Sequence, residues 1–483
     1  MSDRDQVQLN AGVEKDSASE QGSLCANRSD LSVRNECMTQ DIAGKGAKAA
    51  TEHCAPPAAN ACPSLEQLSE MKEDCALAAL GACKPWQCDA LASQLVAMPA
   101  HAWNKRHFAI SDAIYKQVTV ADYLAPMLKA RFGVATSLDS VDADQRENAE
   151  TFQNSEPKKE VPWTVAGLRH LYDAFIRLPQ AHLNTVVAIV TFDTASVMYG
   201  DANVVGKSWA DPNLLHGQGF IRILYSDSHL VSGKNAKSDR QEDLSYGFDK
   251  LSFAVLHEIA HSVDSGKKYS GEEDYRKITD WKAHPVSDPD QLVQAIFDCL
   301  AVPTPPMTDA EIAATKNVGK AMIKDREITR KNLDGAVSDV EFSDQDPETQ
   351  EVSREILRQK IRTSGLILHI LRAFANQDPW NKEDRFDNMK DRHIHEGYTG
   401  DNFWYSYPIA ARKSEPRINS YQFRDPSEEF AEVYAMFYIT KTENSEGGKK
   451  LPDKFKTWFI GKGLHTGQDK GSKNPEQPKH EEP

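Results

Sequence analysis

Leu256-His257-Glu258-Ile259-Ala260-His261 decides the reading of this chain. The spacing His-Glu-x-x-His predicts a helix, where two residues four apart lie one turn above each other on a single face. Both imidazoles can then offer a nitrogen to one metal ion. Glu258 falls beside the remaining metal position, where it can accept a proton from water. Catalytic zinc usually takes three protein ligands and leaves a fourth position for water, so the motif calls for one more ligand elsewhere in the chain.

Working outward, Val186-Val187-Ala188-Ile189-Val190-Thr191-Phe192 is a β-branched run and predicts a strand. The Gly/Asn/Asp-rich stretch from Tyr199 to Gly219 reads as a loop, and Phe220–Tyr225 as a second strand. The metal motif sits in a helix predicted over Tyr246–Ser265. Ahead of the strands, Trp163–Leu178 is an amphipathic helix, with Val165, Leu168, Leu171, Tyr172, Phe175 and Ile176 on one side. Helix, strands, then metal helix is the order of a zincin catalytic half. There the last strand before the metal helix borders the cleft and pairs with an extended peptide, which assigns that role to Ile221–Tyr225.

Beyond the motif, residues 286–376 read as a helical insertion. Helical periodicity covers Asp290–Val302, Asp309–Lys331 and Thr349–Asn376, and prolines from Pro303 to Pro306 separate the first two. Residues 377–420 are loop-rich. Asp425–Ile439 is a further helix, with Asp425 or Ser427 as N-cap and Pro426 in its first turn.

The expected fold class is α+β: a zincin-like domain over residues 161–460, with a small mixed sheet, a metal-binding helix and the helical insertion. Residues 1–60 read as disordered, 61–135 as a helical Cys-bearing module, 136–160 as a linker and 461–483 as a disordered tail. Seven of the eight cysteines lie between Cys25 and Cys88, and only Cys299 lies elsewhere. Their placement fits either free thiols or a disulfide-stapled N-terminal region. No CxxC pair points to a zinc knuckle.

The 483 residues carry a formal charge of -15, and 40% are hydrophobic against 27% charged, as in soluble globular proteins. No basic stripe suits nucleic acid, and the charge disfavours anionic membranes. No apolar stretch is long enough to span a bilayer. The start, Met1-Ser2-Asp3-Arg4-Asp5-Gln6, is too polar for a secretory signal, so the expectation is a cytoplasmic protein or one exported by a signal-independent route.

Three patterns compete for the third ligand. A metzincin needs Gly and His where this chain has Asp264 and Lys267, so that class is excluded. Asp401, in Tyr398-Thr399-Gly400-Asp401-Asn402-Phe403-Trp404-Tyr405, echoes an aspzincin loop with Gly and Thr out of order. The third is Ser427-Glu428-Glu429-Phe430-Ala431-Glu432-Val433-Tyr434, where Glu428 and Glu432 share a helical face. One can bind metal while the other supports a histidine. Asp264 is expected to orient the metal helix or a ligand histidine. Asn402, Trp404 and Tyr405 could line the cleft or pack, and His216, His229, His284, His393 and His395 are left without a role.

His257-Glu258-Ile259-Ala260-His261-Ser262-Val263-Asp264 resembles the metal helix of the anthrax lethal factor catalytic domain and its gluzincin-type relatives among bacterial toxins and effectors. Tyr421 followed seven residues later by Glu428-Glu429-Phe430-Ala431-Glu432 is similar to the second block of that family. The resemblance implies His257, His261 and Glu428 as zinc ligands and Glu258 as general base. It further implies Tyr421 as the hydroxyl that stabilises the oxyanion and Glu432 as a carboxylate behind a ligand histidine. It covers about 100 residues in two blocks. The interval between the blocks is much longer here, so the family's substrates are not carried over.

The expected function is therefore a zinc-dependent endopeptidase acting on a protein or peptide, exported as a toxin or effector. A secretion apparatus or an immunity or inhibitor protein would be its other partners. The alternatives are a zinc-dependent hydrolase of cell-wall peptide crosslinks and a binding module with structural zinc.

Overall fold

The structure is a computed structural model. It describes residues 62–141, 160–192, 206–210, 219–224, 243–300, 306–325, 330–342, 345–375, 391–396, 403–410, 416–441 and 445–467. The segment 1–60, most of the linker, the end of the tail, and Asp401, Asn402, His216 and His229 lie outside these residues. Among the described residues the protein is mostly helical with two small sheets, an α+β arrangement.

The chain divides into two compact units, Met1–Gln87 and Cys88–Pro483. In the first, α1 (Leu65–Glu70) opens with a capping box: Ser64 Oγ accepts from Gln67 N and Gln67 Oε1 accepts from Ser64 N. α2 (Glu73–Leu80) follows and buries Ala76, Ala79 and Leu80. A Cys62–Cys83 disulfide closes around both helices, and Cys75 is disulfide-bonded as well. Of the two cysteine readings, the disulfide holds for these three residues. A closed loop of this size stabilises by about 3 kcal/mol in the chain-entropy model.

The boundary falls within α3 (Pro85–Ala97), whose residues from Cys88 on open the second unit, followed by α4 (Lys105–Ile114) and α5 (Ala121–Phe132). The sequence grouped residues 88–135 with the Cys-bearing module, but they belong to the unit that carries the metal motif. They pack on α6 (Val165–Phe175), shorter than the predicted Trp163–Leu178. Thr164 caps it, and Leu168, Leu171, Tyr172 and Phe175 form its buried stripe. Tyr115 stacks on Tyr172 at 4.0 Å, and Phe132 meets Phe175 edge-on.

The first sheet contains β1 (Val186–Phe192), β2 (Gly206–Ala210) and β3 (Gly219–Leu224) in the order β1-β3-β2. β1 runs parallel to β3, and β2 antiparallel to it. The outer side of β1 is covered by Ala135 and Val161, which bond to its backbone. Of the expected cleft strand Ile221–Tyr225, Tyr225 lies outside the described residues, and Ile221–Leu224 belongs to the central strand, paired on both sides. β2, in the stretch read as a loop, is the outer strand, and it packs on the metal helix α7 (Lys250–Lys267).

α7 starts at an Asp249 cap, whose carboxylate accepts from Ser252 N at 2.6 Å. It ends where Lys268 turns left-handed at φ 55° and donates to the Asp264 carbonyl at 2.5 Å. Gly219 lets β3 approach α7 closely. A Cβ there would lie 2.3 Å from Ser262 Oγ and 3.0 Å from its Cβ.

After α8 (Glu273–Thr279) comes β4 (Lys282–Pro285), the first strand of a second sheet that sequence reading did not foresee. The helical insertion follows as α9 (Pro289–Cys299), α10 (Asp309–Asp325), α11 (Arg330–Ser338), α12 (Pro347–Thr363) and α13 (Gly365–Ala375). One long predicted helix breaks at Ser364, which takes an extended backbone and caps α13 through Oγ. These helices build their own core from Leu292, Ile296, Val318, Met322, Leu357, Ile361 and Ile370. β5 (Asp391–Glu396) and β6 (Phe403–Pro408) complete an antiparallel sheet in the order β4-β6-β5. Trp404 is fully buried in the insertion's core, and Tyr405 packs with Trp281, so both serve packing.

α14 (Pro426–Ile439) is buried along nearly its whole length and lies against α7. Trp281 Nε1 donates to Glu429 Oε2 at 2.5 Å and so ties α14 to the second sheet. α15 (Asp453–Gly461) and the 3₁₀ turn Leu464–Thr466 follow. Residues 461–467, assigned to the tail by sequence, belong to the fold: Leu464 is buried, and its carbonyl accepts from Tyr438 Oη at 2.7 Å.

Candidate metal centre

α7 places His257 and His261 one turn apart, their rings nearly perpendicular with centroids 4.8 Å apart. Their Nε2 atoms are 3.1 Å from each other. Glu428, in the first turn of α14, brings Oε2 to 3.0 Å from His257 Nε2 and 3.3 Å from His261 Nε2. Asp425 positions that turn, its side chain accepting from Glu428 N at 2.8 Å. Pro426 at the first helical position has no N–H to satisfy.

Two imidazole nitrogens and a carboxylate oxygen thus converge on one point. Ligands of a tetrahedral zinc, bonded at about 2.0–2.1 Å, are spaced about 3.3–3.4 Å apart, so the triangle needs only slight expansion. Among the described residues this is the His/Cys/Asp/Glu cluster fit to hold a metal. His257 is 2% exposed, whereas His261 and Glu428 are 23% and 13% exposed, so the centre is reached from the His261 side.

Without a cation the same point attracts a proton. Burial disfavours charge on His261, but the hydrogen bond and charge of Glu428 override it and push its pKa up to about 9. Burial likewise resists charge on Glu428, yet its hydrogen bonds with His257 and His261 hold its carboxyl well below the usual range. Burial, reinforced by the charge of Glu428, raises Asp425.

Each histidine also has a polar group near its other ring nitrogen. His257 Nδ1 lies 3.1 Å from Oε1 of Glu432, which is fully buried and whose Oε2 accepts from Asn419 Nδ2 at 2.6 Å. His261 Nδ1 lies 3.2 Å from Ser427 Oγ. Asp264 is buried near Ser427. It accepts from Ser270 N at 2.8 Å and Ser270 Oγ at 2.6 Å.

Tyr421 stands in the 3₁₀ turn Ser420–Phe423, capped by Asn419, and donates its hydroxyl to Glu428 Oε1 at 3.0 Å. Burial and then the Glu428 charge push that phenol well above its usual pKa, so it stays a donor. Arg424 Nη1 donates to Tyr421 Oη and to Glu428 Oε1. Glu258 is buried next to His257, and its charge is felt at both His261 and Tyr421.

The structure therefore gathers His257, Glu258, His261, Tyr421, Glu428, Glu432 and Asp264 in one place. The competing ligand Asp401 lies outside the described residues. His393 and His395 belong to β5, and His284 pairs with Ser406 in the second sheet at 2.8 Å. Sequence reasoning missed Asn419, Arg424 and the contact of Ser427 with His261. Their only local signal is proximity to Tyr421 and Glu428. No protein-family model, curated protein or solved structure matches the chain. No helix among the described residues is long and apolar enough to cross a membrane.

Proposed function

We propose that this protein is a zinc-dependent endopeptidase with a zincin-like, gluzincin-type catalytic unit. The observation that carries the reading is the convergence of His257 Nε2, His261 Nε2 and Glu428 Oε2 within 3.3 Å, with Glu258 on the same helix as both histidines. A structural zinc site is closed by four protein ligands and has no use for a neighbouring base. The cluster here has three protein ligands and such a base.

Zinc bound there supplies Lewis acidity, polarising a peptide carbonyl and lowering the pKa of water. Glu258 takes the proton of the attacking water and passes it to the leaving amine nitrogen as the C–N bond breaks. The Tyr421 hydroxyl donates to the developing oxyanion, and Arg424 steadies that hydroxyl. A substrate segment lies extended along the outer edge of β2, where main-chain groups can add it as a further strand.

An exported toxin or effector role belongs to the same proposal. It is supported by the resemblance to toxin peptidases and by the disulfides of the first unit, which suit passage through an oxidising compartment. Retention of the protein inside the producing cell under every secretion-inducing condition would remove that role.

The deciding experiment measures zinc content and cleavage of a peptide library by wild type, Glu258→Ala and Glu428→Ala. The reading expects one zinc and cleavage in wild type, zinc without cleavage in Glu258→Ala, and loss of zinc in Glu428→Ala. Full zinc occupancy in Glu428→Ala would move the third ligand elsewhere. Zinc binding with undiminished cleavage in Glu258→Ala would end the proposed mechanism.

A further inference from the structure

Asn419 is fully buried, and both ends of its amide are directed at the metal centre. Its Oδ1 accepts from Tyr421 N at 2.8 Å and so caps the 3₁₀ turn Ser420–Phe423. Its Nδ2 donates to Glu432 Oε2 at 2.6 Å. The other oxygen of Glu432 lies 3.1 Å from His257 Nδ1. We infer that Asn419 is a positioning residue: one amide sets the turn that carries the Tyr421 hydroxyl and, through Glu432, the ring of His257. The inference rests on the metal reading of the centre, and its Tyr421 half rests also on the proposed reaction.

The partners fix which way the amide points. A backbone N–H donates, so the amide oxygen faces Tyr421. A carboxylate accepts, so the amide nitrogen faces Glu432. Few side chains serve both. Aspartate would set a second carboxylate against Glu432, and serine can cap the turn but is too short to extend to the carboxylate. A metal at His257 Nε2 requires that nitrogen to be bare, which puts the ring proton on Nδ1, facing Glu432 Oε1. Holding one oxygen of Glu432 keeps the other aimed, and that aim orients the imidazole.

The backbone leading to Asn419 is held by bonds that do not involve its side chain. Leu244 N donates to the Arg417 carbonyl at 2.9 Å, and Ser245 N to the Ile418 carbonyl at 3.1 Å. Arg417 Nε donates to the buried Asp243 carboxylate at 2.6 Å, and Ile418 N to Gln422 Oε1 at 2.6 Å. The stretch ahead of the metal helix α7 thus pins the stretch ahead of Asn419. Glu432 comes from α14, buried against α7. Shortening the Asn419 side chain should therefore leave the backbone in place and act on the two groups it holds.

The test takes two readouts on the full chain: zinc affinity, by competition with a chromophoric chelator, and turnover at saturating zinc. The variants are Asn419→Ala, Asn419→Ser, Glu432→Ala and the double Asn419→Ser/Glu432→Ala, each first checked for cooperative unfolding in metal-free buffer. Both substitutions at 419 should weaken zinc about tenfold or more, the low end of the range for a lost partner of a ligand histidine. Turnover should separate them. Alanine should lower it about tenfold or more by misplacing Tyr421, and serine, which can still cap the turn, should recover most of that loss. A general loosening of the fold would instead move both readouts together in both variants. The double variant should bind zinc little worse than Glu432→Ala alone, because Asn419 acts on the metal through Glu432. Zinc affinity within about twofold of wild type in Asn419→Ser overturns the inference, as do fully additive losses in the double variant. Turnover lost equally in the alanine and serine variants overturns the Tyr421 half. If Glu432→Ala does not fold, the two substitutions at 419 decide alone. Failure of wild type to bind zinc would overturn the metal centre itself, and zinc binding without cleavage of any peptide would overturn the proposed reaction, with the zinc comparison still deciding the role of Asn419.

Discussion

The proposed function gives His257, His261 and Glu428 the binding of metal and Glu258 and Tyr421 the chemistry, and substitutions should separate the two groups. Glu258→Gln keeps the shape and removes the base. It should retain zinc and lose about 10²–10⁴-fold in turnover, read as metal content beside cleavage rate. Tyr421→Phe should also keep zinc, because the hydroxyl donates to Glu428 Oε1 and not to the Oε2 that faces the histidines, and should lower kcat by about 10²-fold or more. Glu432→Gln belongs to the binding group. Its carboxylate is fully buried beside His257, and its loss should weaken zinc about 10–100-fold in chelator competition. At this scale the pairing of His257 with His261, and the place of Glu258 beside them, were legible because a helix turns four residues into one face. Glu428 and Tyr421 were reached through resemblance, since nothing local links residue 421 or 428 to residue 257. Arg424 and Ser427 were not legible, because an arginine or serine near a helix start is ordinary until its distant partner is known.

Among the elements, the contact of β3 with α7 depends on a missing side chain. Gly219→Ala would push a methyl against Ser262, and denaturant titration should show a loss of about 1–3 kcal/mol. A second test concerns the support of α14. His182 is buried with Nδ1 2.9 Å from Tyr434 Oη, and burial followed by the nearby Lys441 charge pushes its pKa down to about 3 from 6.5. The folded state keeps this histidine neutral, while the unfolded chain protonates it below pH 6.5. Its contribution is whole above that pH and falls by about 1.4 kcal/mol per unit as pH drops toward 3. Unfolding curves in metal-free buffer between pH 6.5 and 4 should be steeper in pH for wild type than for His182→Gln. The strand β1 was legible because Val186–Phe192 is rich in β-branched residues. β2 and β5 were not. Gly206-Lys207-Ser208-Trp209-Ala210 and Asp391-Arg392-His393-Ile394-His395-Glu396 lack such a run, and pairing with distant partners makes them strands. The break between α12 and α13 was hidden because apolar periodicity continues across Ser364.

For the whole molecule, the division into two units puts the disulfides in one and the candidate metal centre in the other. Cys62, Cys75 and Cys83 are disulfide-bonded in the first unit. The second unit has only Cys88 and Cys299, both free and buried. Reduction and alkylation of the full chain should therefore loosen the first unit and leave zinc affinity unchanged within about twofold, given that a shift of 1.4 kcal/mol is already tenfold. Sequence reading placed the boundary near residue 135 because helices α3 to α5 resemble their Cys-bearing neighbours in composition. Part of what ties the end of α4 and α5 to the second unit is the packing of Tyr115 and Phe132 on the rings of α6, which no local pattern announces.

His257 and Glu428 stand 171 residues apart in the chain, yet their ligand atoms are 3.0 Å apart. During synthesis the two histidines leave the ribosome first, and at ordinary elongation rates the glutamate follows roughly 10 to 35 s later. Until then the HExxH helix lacks the carboxylate that faces it, and the nascent chain cannot complete the His257–His261–Glu428 cluster. A chain that stops short of Glu428 therefore carries both histidines of the cluster but not the carboxylate that joins them.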